Sequence, residues 1–414
     1  MWKSTANGRD RWSAVVWVLI VVMLLIATAY GAYSYGLSRS PAALGEKDRE
    51  SLALYAEALD TVRDDYVDRE AIDPRKQTYG AIEGMLDTLG DEGHTRFLTP
   101  EEREQNREGL SGTYVGIGIQ LEEEAGEVVV AAPIEGSPAE RAGIEAGDVV
   151  VAVDGESVRG EEVAQVAEKV RGPEGTRVEL TVLRGGEERE FDLERAEIES
   201  PVASWTMIPS SNVAFVRLAS FSDTSAEKLA QAFEEARAAG ARRFVLDLRD
   251  NPGGRLDQAV RMSENFLEAG SVVYVREDAS GEREEVEVEG GTEPIDAPMA
   301  VLVNEGTASS SEILAGALRD NERATVIGET TFGTGTVLSE FVLRDGSAIL
   351  LGVAEWLTPD GDFIRETGIE PDVEVALAED AEPLTPSEAR GLSREEILDR
   401  DAQLSRAFEN LQDQ

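Results

Sequence analysis

Residues 304–338 narrow the possible folds more than any other part of the chain. They follow the apolar run Met299–Val303, pass through Gly306-Thr307-Ala308 and three serines, and enter an apolar-periodic run over 313–318. A strand, a small-residue turn and a helix start place a hydroxyl beside the unpaired N–H groups of a helix N-terminus. A serine held there becomes a nucleophile when a neighbouring group accepts its proton. The rest of the chain has to supply that group.

Composition removes several candidates. A formal net charge of −44 excludes nucleic acid as a partner, because phosphate binding needs a basic surface. The absence of cysteine excludes disulfides, thiol catalysis and thiolate metal sites. A single histidine, His94, excludes a multi-histidine zinc centre, and nothing else in the pattern calls for a metal or a cofactor. Lysine is scarce, with only Lys3, Lys47, Lys76, Lys169 and Lys228.

Residues 12–33 carry no charge. At about 1.5 Å per residue a helix of that length reaches roughly 33 Å, enough to cross a bilayer. Lys3, Arg9 and Arg11 precede it. The basic flank keeps 1–11 in the cytoplasm and sends everything after the linker 34–47 to the extracytoplasmic side of the cell membrane. The alternative is a signal peptide cleaved near Ala27-Thr28-Ala29.

Beyond the linker the chain changes texture three times. Segment 48–100 is helical: Leu52, Tyr55, Leu59, Val62 and Tyr66 recur at helical spacing over 49–67, as do Tyr79, Ile82, Met85, Leu86 and Leu89 over 77–89. Both apolar sets are expected in a core. A loop holding Asp91-Glu92-Gly93-His94-Thr95 follows. Segment 101–196 reads as a small separate domain, with strands over 114–121, 127–132, 148–153, 176–184 and 188–193 and helices at Pro138–Ala142 and 160–169. Segment 197–378 alternates strands and helices, which argues for a mostly parallel sheet with sites at the carboxyl ends of its strands. Two motifs fall at such ends: Asp250-Asn251-Pro252-Gly253-Gly254 and the serine turn. The N–H groups of Gly253, Gly254 and Ser310 are candidate donors to an oxyanion, each worth about 3–4 kcal/mol in the transition state. Residues 379–414 read as an acidic tail with a helix over 394–411, a candidate interface between copies in a homo-oligomer.

The small domain, through Tyr114-Val115-Gly116-Ile117-Gly118-Ile119 and the run from Ser137-Pro138 to Gly147-Asp148, resembles a PDZ domain. That resemblance implies capture of flexible protein C-termini. The glycines admit a peptide carboxylate to backbone N–H groups, and the ligand adds a strand beside a pocket lined by Val163 and Val166.

From His94 through Asp247-Leu248-Arg249-Asp250, the serine turn, Gly328-Glu329-Thr330-Thr331-Phe332-Gly333 and Gly368-Ile369-Glu370-Pro371-Asp372, the chain resembles the C-terminal processing peptidases. This implies a mixed α/β, ClpP/crotonase-like protease domain with an inserted PDZ domain, cleaving exported proteins near their C-termini. The resemblance makes Ser309 the nucleophile and leaves Ser311 as the helix N-cap. The chain departs from the family where it matters: Thr334 and Leu338 stand at the positions of the family's lysine base and its glutamine. A threonine hydroxyl is too weak a base for this task. The related tricorn-like branch uses histidine and a carboxylate. That likeness points to His94 as base, oriented by Glu366, with Glu355 and Glu370 as competing acids. Two functions stand side by side: a membrane-anchored serine endopeptidase, and a protease-like scaffold that binds C-terminal peptides without cutting them.

Overall fold

The computed structural model describes residues 45–413 apart from 92, 93, 125, 135, 292, 379 and 380. The expected membrane helix at 12–33, the segment before it and most of the linker lie outside these residues. Among the described residues no helix is long and apolar enough to cross a membrane. The chain divides into two compact units, Met1–Gly80 and Ala81–Gln414.

In the first unit the helix Glu46–Asp65 forms as the spacing requires, but its apolar stripe is not a core. Leu52, Tyr55, Val62 and the following Tyr66 are all at least 42% exposed. Helical periodicity decides which face is apolar, not whether anything covers it. The same correction applies to Met85 and Leu89 of the second helical stretch, which are exposed, whereas Leu86 is buried.

The larger unit is built on a six-stranded sheet. Its order is Ala203–Met207, Val213–Leu218, Arg243–Asp247, Met299–Val303, Thr325–Gly328, Val373–Glu374. The first pair is antiparallel and every later pair parallel. Side chains alternate between faces along each strand. Leu246, Val301 and Val303 point to one face, where Leu229, Phe233, Met262 and Leu314 of three helices cover them. Val245, Ala300 and Leu302 point to the other, and the cover there comes from the C-terminus: Ile397, Leu404, Ala407 and Leu411, each fully buried. Burial on both faces is why these strands read as continuous apolar runs.

Residues 384–413 are therefore part of the core and not an acidic tail. Nor do they form one helix over 394–411. Arg394–Arg400 and Ala402–Asp413 are separated at Asp401, whose extended backbone ends the first helix. The Asp401 carboxylate accepts the Leu404 N–H at 2.9 Å and so opens the second.

A second sheet has the order Arg96–Leu98, Ala348–Leu357, Val272–Asp278, Arg283–Glu287, with Thr336–Val342 also paired to the long strand Ala348–Leu357. The antiparallel pair of Val272–Asp278 with Arg283–Glu287 ends the sheet on one side. The hairpin of Thr336–Val342 with Ala348–Leu357 went unassigned in the sequence. It carries Leu338.

The inserted domain has its own sheet of Ile119–Glu124, Glu127–Pro133, Val149–Val153, Arg177–Arg184 and Glu187–Glu194. The single strand expected over 114–121 is two. Gly118 turns the chain at φ +79°, and a Cβ there would lie 2.2 Å from the Ser137 Cβ. The first half, Thr113–Gly116, leaves the domain and pairs antiparallel with Ala196–Glu199. Entry and exit of the insert thus run together as one two-stranded ribbon.

Leu404→Ala checks the packing of the C-terminal helices. Truncating a fully buried leucine is expected to cost about 2–5 kcal/mol in urea unfolding. A loss below about 1 kcal/mol would mean that these helices do not form the second face of the core.

Candidate active site

Ser309 stands where the central strand Met299–Val303 gives way to the helix Ser310–Asp320. Its backbone is held at φ +56°, ψ −120°, a conformation that L-residues avoid and that persists only when neighbours impose it. The neighbours are explicit. Asn304 accepts the Asp250 N–H at 2.9 Å and donates to the Asp250 carboxylate at 2.8 Å. Thr307 Oγ1 donates to the Leu248 carbonyl at 2.8 Å, and the Ala308 N–H to the Asn251 carbonyl at 3.0 Å. The serine turn and the Pro-Gly-Gly turn are therefore one knitted unit.

Ser309 itself, and not Ser311, is the residue preceding the helix. Ser311 lies inside the first turn and donates its hydroxyl to the Asn251 carbonyl at 3.0 Å, while Ser310 donates to the Gly254 carbonyl at 3.1 Å. Both hydroxyls are spent on structure.

Gly253 touches the serine turn so closely that a Cβ would come within 2.8 Å of both Ser309 Cβ and Ser310 N. Its own N–H donates to Asn251 Oδ1 at 2.9 Å, so it is not a free oxyanion donor. Asn251, with its side chain folded back into the turn, is the partner that pattern reading missed. The N–H groups of Gly254 and Ser310 have no acceptor among the described residues. The Ser310 N–H also opens a helix, where the dipole favours negative charge.

Glu312 joins this unit to the next. Its carboxylate is fully buried and accepts four bonds: Ser309 N–H and Thr334 N–H on Oε2, both at 2.8 Å, and Gly333 N–H at 2.7 Å and Thr331 hydroxyl at 2.5 Å on Oε1. Burial pushes its pKa up, and the four donors pull against that. One oxygen thus receives the backbone N–H groups of Ser309 and of Thr334. Thr334, which stands where the resemblance leads one to expect a lysine, is buried. Leu338 is partly exposed on the strand beyond. The other lysines of this unit give no substitute, since Lys169 pairs with Glu161 at 2.7 Å and Lys228 with Glu199 at 2.8 Å.

His94 is nearly buried, with its Nδ1 at 3.4 Å from Asp91 Oδ1. Its ring packs edge-on against Phe332, centroids 5.8 Å apart. Phe332 donates its N–H to the Thr307 carbonyl at 3.0 Å, which brings the histidine loop to the flank of the serine turn. The Nε2 is buried with no hydrogen-bond partner among the described residues. The acid beside the histidine is Asp91, not Glu366. Glu366 is exposed and engages the site only through its main chain, donating its N–H to the Gly333 carbonyl at 3.0 Å. Glu355 lies 4.0 Å from Arg365, and Glu370 is exposed. The three-residue spacing of Asp91 and His94 in the sequence was the available signal, and the Asp91 carbonyl also accepts the His94 N–H at 3.2 Å. Asp91 is itself held by the Thr95 hydroxyl at 2.6 Å and by Arg365 at 3.2 Å.

In the inserted domain an apolar groove runs between the edge strand Ile119–Glu124 and the helix Val163–Val170. Tyr114, Gly116, Ile117, Gly118, Ile119 and Val163 line it, as expected. Val115 does not, and Val166 is fully buried in the domain core, one helical position away from the groove residue Ala167. Arg171 stands at the same groove with its guanidinium 5.3 Å from the Tyr114 ring.

Residues 212–375 match Peptidase family S41, and residues 129–184 match a PDZ domain. The chain is 35% identical over 364 residues to the "Carboxy-terminal processing protease CtpA" of Bacillus subtilis (strain 168), spanning 87% of this chain and 77% of that one. It is 35% identical over 378 residues to a "Probable CtpA-like serine protease" of Staphylococcus haemolyticus (strain JCSC1435), spanning 90% and 75%. Among solved structures it is similar to a photosystem II D1 C-terminal processing protease, at 33% identity, a TM-score of 0.45, and 78% and 92% coverage.

Glu312→Gln tests the clamp. One amide oxygen cannot accept four donors, so at neutral pH the variant is expected to lose about 2–4 kcal/mol. The sign with pH is fixed by the raised pKa. The native carboxyl contributes most below its ordinary value of 4.5, and this contribution falls as pH climbs through the raised value. Glutamine does not titrate, so the deficit of the variant should be larger at pH 5 than at pH 7.5. Equal deficits in urea unfolding at the two pH values would contradict a raised pKa.

Proposed function

The chain belongs to the C-terminal processing serine proteases of Peptidase family S41, and we propose that it is a membrane-anchored endopeptidase that cuts exported proteins near their C-termini with Ser309. The observation that carries this reading is the backbone of Ser309. Its strained conformation is fixed by the adjoining turn and by Glu312, beside two unoccupied N–H groups on Gly254 and Ser310.

The chemistry follows from the positions. The Ser309 hydroxyl attacks the scissile carbonyl carbon and its proton passes to a base. The oxyanion receives the Gly254 and Ser310 N–H groups. The base then protonates the departing amine, and water releases the acyl group from Ser309 by the same route in reverse. His94 is the proposed base. Asp91 faces its Nδ1, which leaves Nε2 as the free acceptor. The PDZ domain would take the substrate's C-terminal carboxylate at the Gly116–Gly118 turn beside Arg171, with the peptide added as a strand along Ile119–Glu124. Residues 12–33 would anchor the protein in the membrane, with the PDZ and protease domains on the extracytoplasmic side.

A second reading rests on a specific observation. His94 Nε2 makes no hydrogen bond, and Thr334 fills the place of the lysine base. On that reading the protein binds C-terminal tails and does not cut them.

Purified full-length protein, treated with a fluorophosphonate and with unstructured peptides ending in apolar residues, decides between the two. Labelling and cleavage are expected, with Ser309→Ala removing both. Failure of the wild-type protein to label or cut would establish the binding protein. His94→Ala is expected to slow cleavage by about 10²–10⁴-fold. Cleavage at the wild-type rate in that variant would remove His94 as base. Thr334→Lys with Leu338→Gln is expected to restore cleavage in the His94→Ala background, because Glu312 still places position 334 beside Ser309.

A further inference from the structure

The turn that carries Gly254 begins at Asp250, another non-glycine residue held at positive φ, +55°. Arg249, the residue before it, is fixed at three points. Its N–H donates to Asp247 Oδ1 at 3.0 Å, its carbonyl accepts from Arg217 at 3.2 Å, and its guanidinium is wholly buried. That guanidinium forks onto Asp247 at 2.8 and 3.0 Å. Its remaining nitrogen reaches both oxygens of Asp401, at 3.1 and 2.9 Å, and Gln403 at 3.0 Å.

Asp401 and Gln403 lie at the junction of the two C-terminal helices, outside the region that matches the S41 family. The junction holds more than Arg249. Asp401 also accepts the Leu384 N–H at 3.1 Å, and Gln403 donates to the Val375 carbonyl at 2.8 Å and to Glu329 at 3.2 Å. Residues at the carboxyl ends of three parallel strands therefore meet at one buried point. A buried ion pair adds little net stability, because desolvation opposes the Coulomb attraction. What a forked guanidinium does fix is direction, since its donors are planar and rigid.

We propose that Arg249 and Asp401 are positioning residues for the reaction: through this pair the C-terminal helices hold the 250–254 turn so that the Gly254 N–H meets the oxyanion. The proposal rests on Ser309 being the nucleophile.

The test compares full-length wild type with Asp401→Asn, with Arg249→Met/Asp401→Leu, and with Leu404→Ala, which weakens the same helix without touching the pair. Three quantities are measured below every variant's melting temperature: the fluorophosphonate labelling rate, kcat and KM on a peptide, and amide exchange over 248–255. Asp401→Asn is expected to lower labelling rate and kcat at least tenfold with KM within twofold, and to speed exchange of the turn. The apolar double variant should regain melting temperature without regaining rate. Leu404→Ala should lose melting temperature and keep its rate within twofold. Labelling within twofold of wild type in a folded Asp401→Asn, with unchanged exchange in the turn, overturns the proposal. If the wild type does not label at all, the serine reading fails and exchange alone decides whether the pair holds the turn. Unchanged exchange then overturns the proposal, and faster exchange in Asp401→Asn but not in Leu404→Ala supports it.

Discussion

Glu312 is a carboxylate sealed from water that, among the described residues, has no cation beside it and is satisfied by four donors. Removing an ionised group from water costs several kcal/mol unless hydrogen bonds offset it. Here the offsetting donors come from two segments twenty or so residues apart in sequence: the N–H of Ser309, and the backbone and hydroxyl of 331–334. Neither segment can move without stranding a buried charge. The arrangement keeps the serine turn and residues 331–334 in register with one another. It is the main chain, not the identity of residue 334, that the clamp holds.

The sheet was legible in the sequence because burial on both faces leaves no polar positions to obscure the strands, as in Phe244-Val245-Leu246 and Met299–Val303. The serine turn was legible for a similar reason, since small residues between a strand and a helix have few alternatives. What stayed hidden depended on partners distant in sequence. Leu404, Ala407 and Leu411 lie among charges that read as a solvated tail, and only the sheet behind them reveals a core face. Asn251 looked like a turn residue, yet its carbonyl oxygen in the side chain occupies the N–H of Gly253. The resemblance pointed to an acid hundreds of residues from His94, whereas Asp91, three residues away in sequence, lies beside it. In the first unit the error ran the other way. A regular apolar stripe suggested burial, and the stripe is exposed.

The two faces of the sheet do different work. One carries the helix that begins beside Ser309. The other is closed by the C-terminal helices, whose Asp401 meets Arg249 inside the core. Burial opposes the charge on Arg249, but Asp247 and Asp401 outweigh it and hold its pKa above the ordinary value. The acidic composition of the chain is thus not only surface. Several of its carboxylates, Asp247, Glu312 and Asp401 among them, are fully buried and organise the backbone around the site.

The ribbon formed by Thr113–Gly116 and Ala196–Glu199 has a consequence for how such a protein can change over time. Because the incoming and outgoing strands are hydrogen-bonded partners, the host domain sees the whole insert as a single hairpin arm. Closing a hairpin at its base is indifferent to what hangs from its tip, and added loop length costs little. The inserted PDZ domain is therefore a cassette. It can be exchanged for another domain, or lost, without disturbing a strand of the sheet that leads to Ser309.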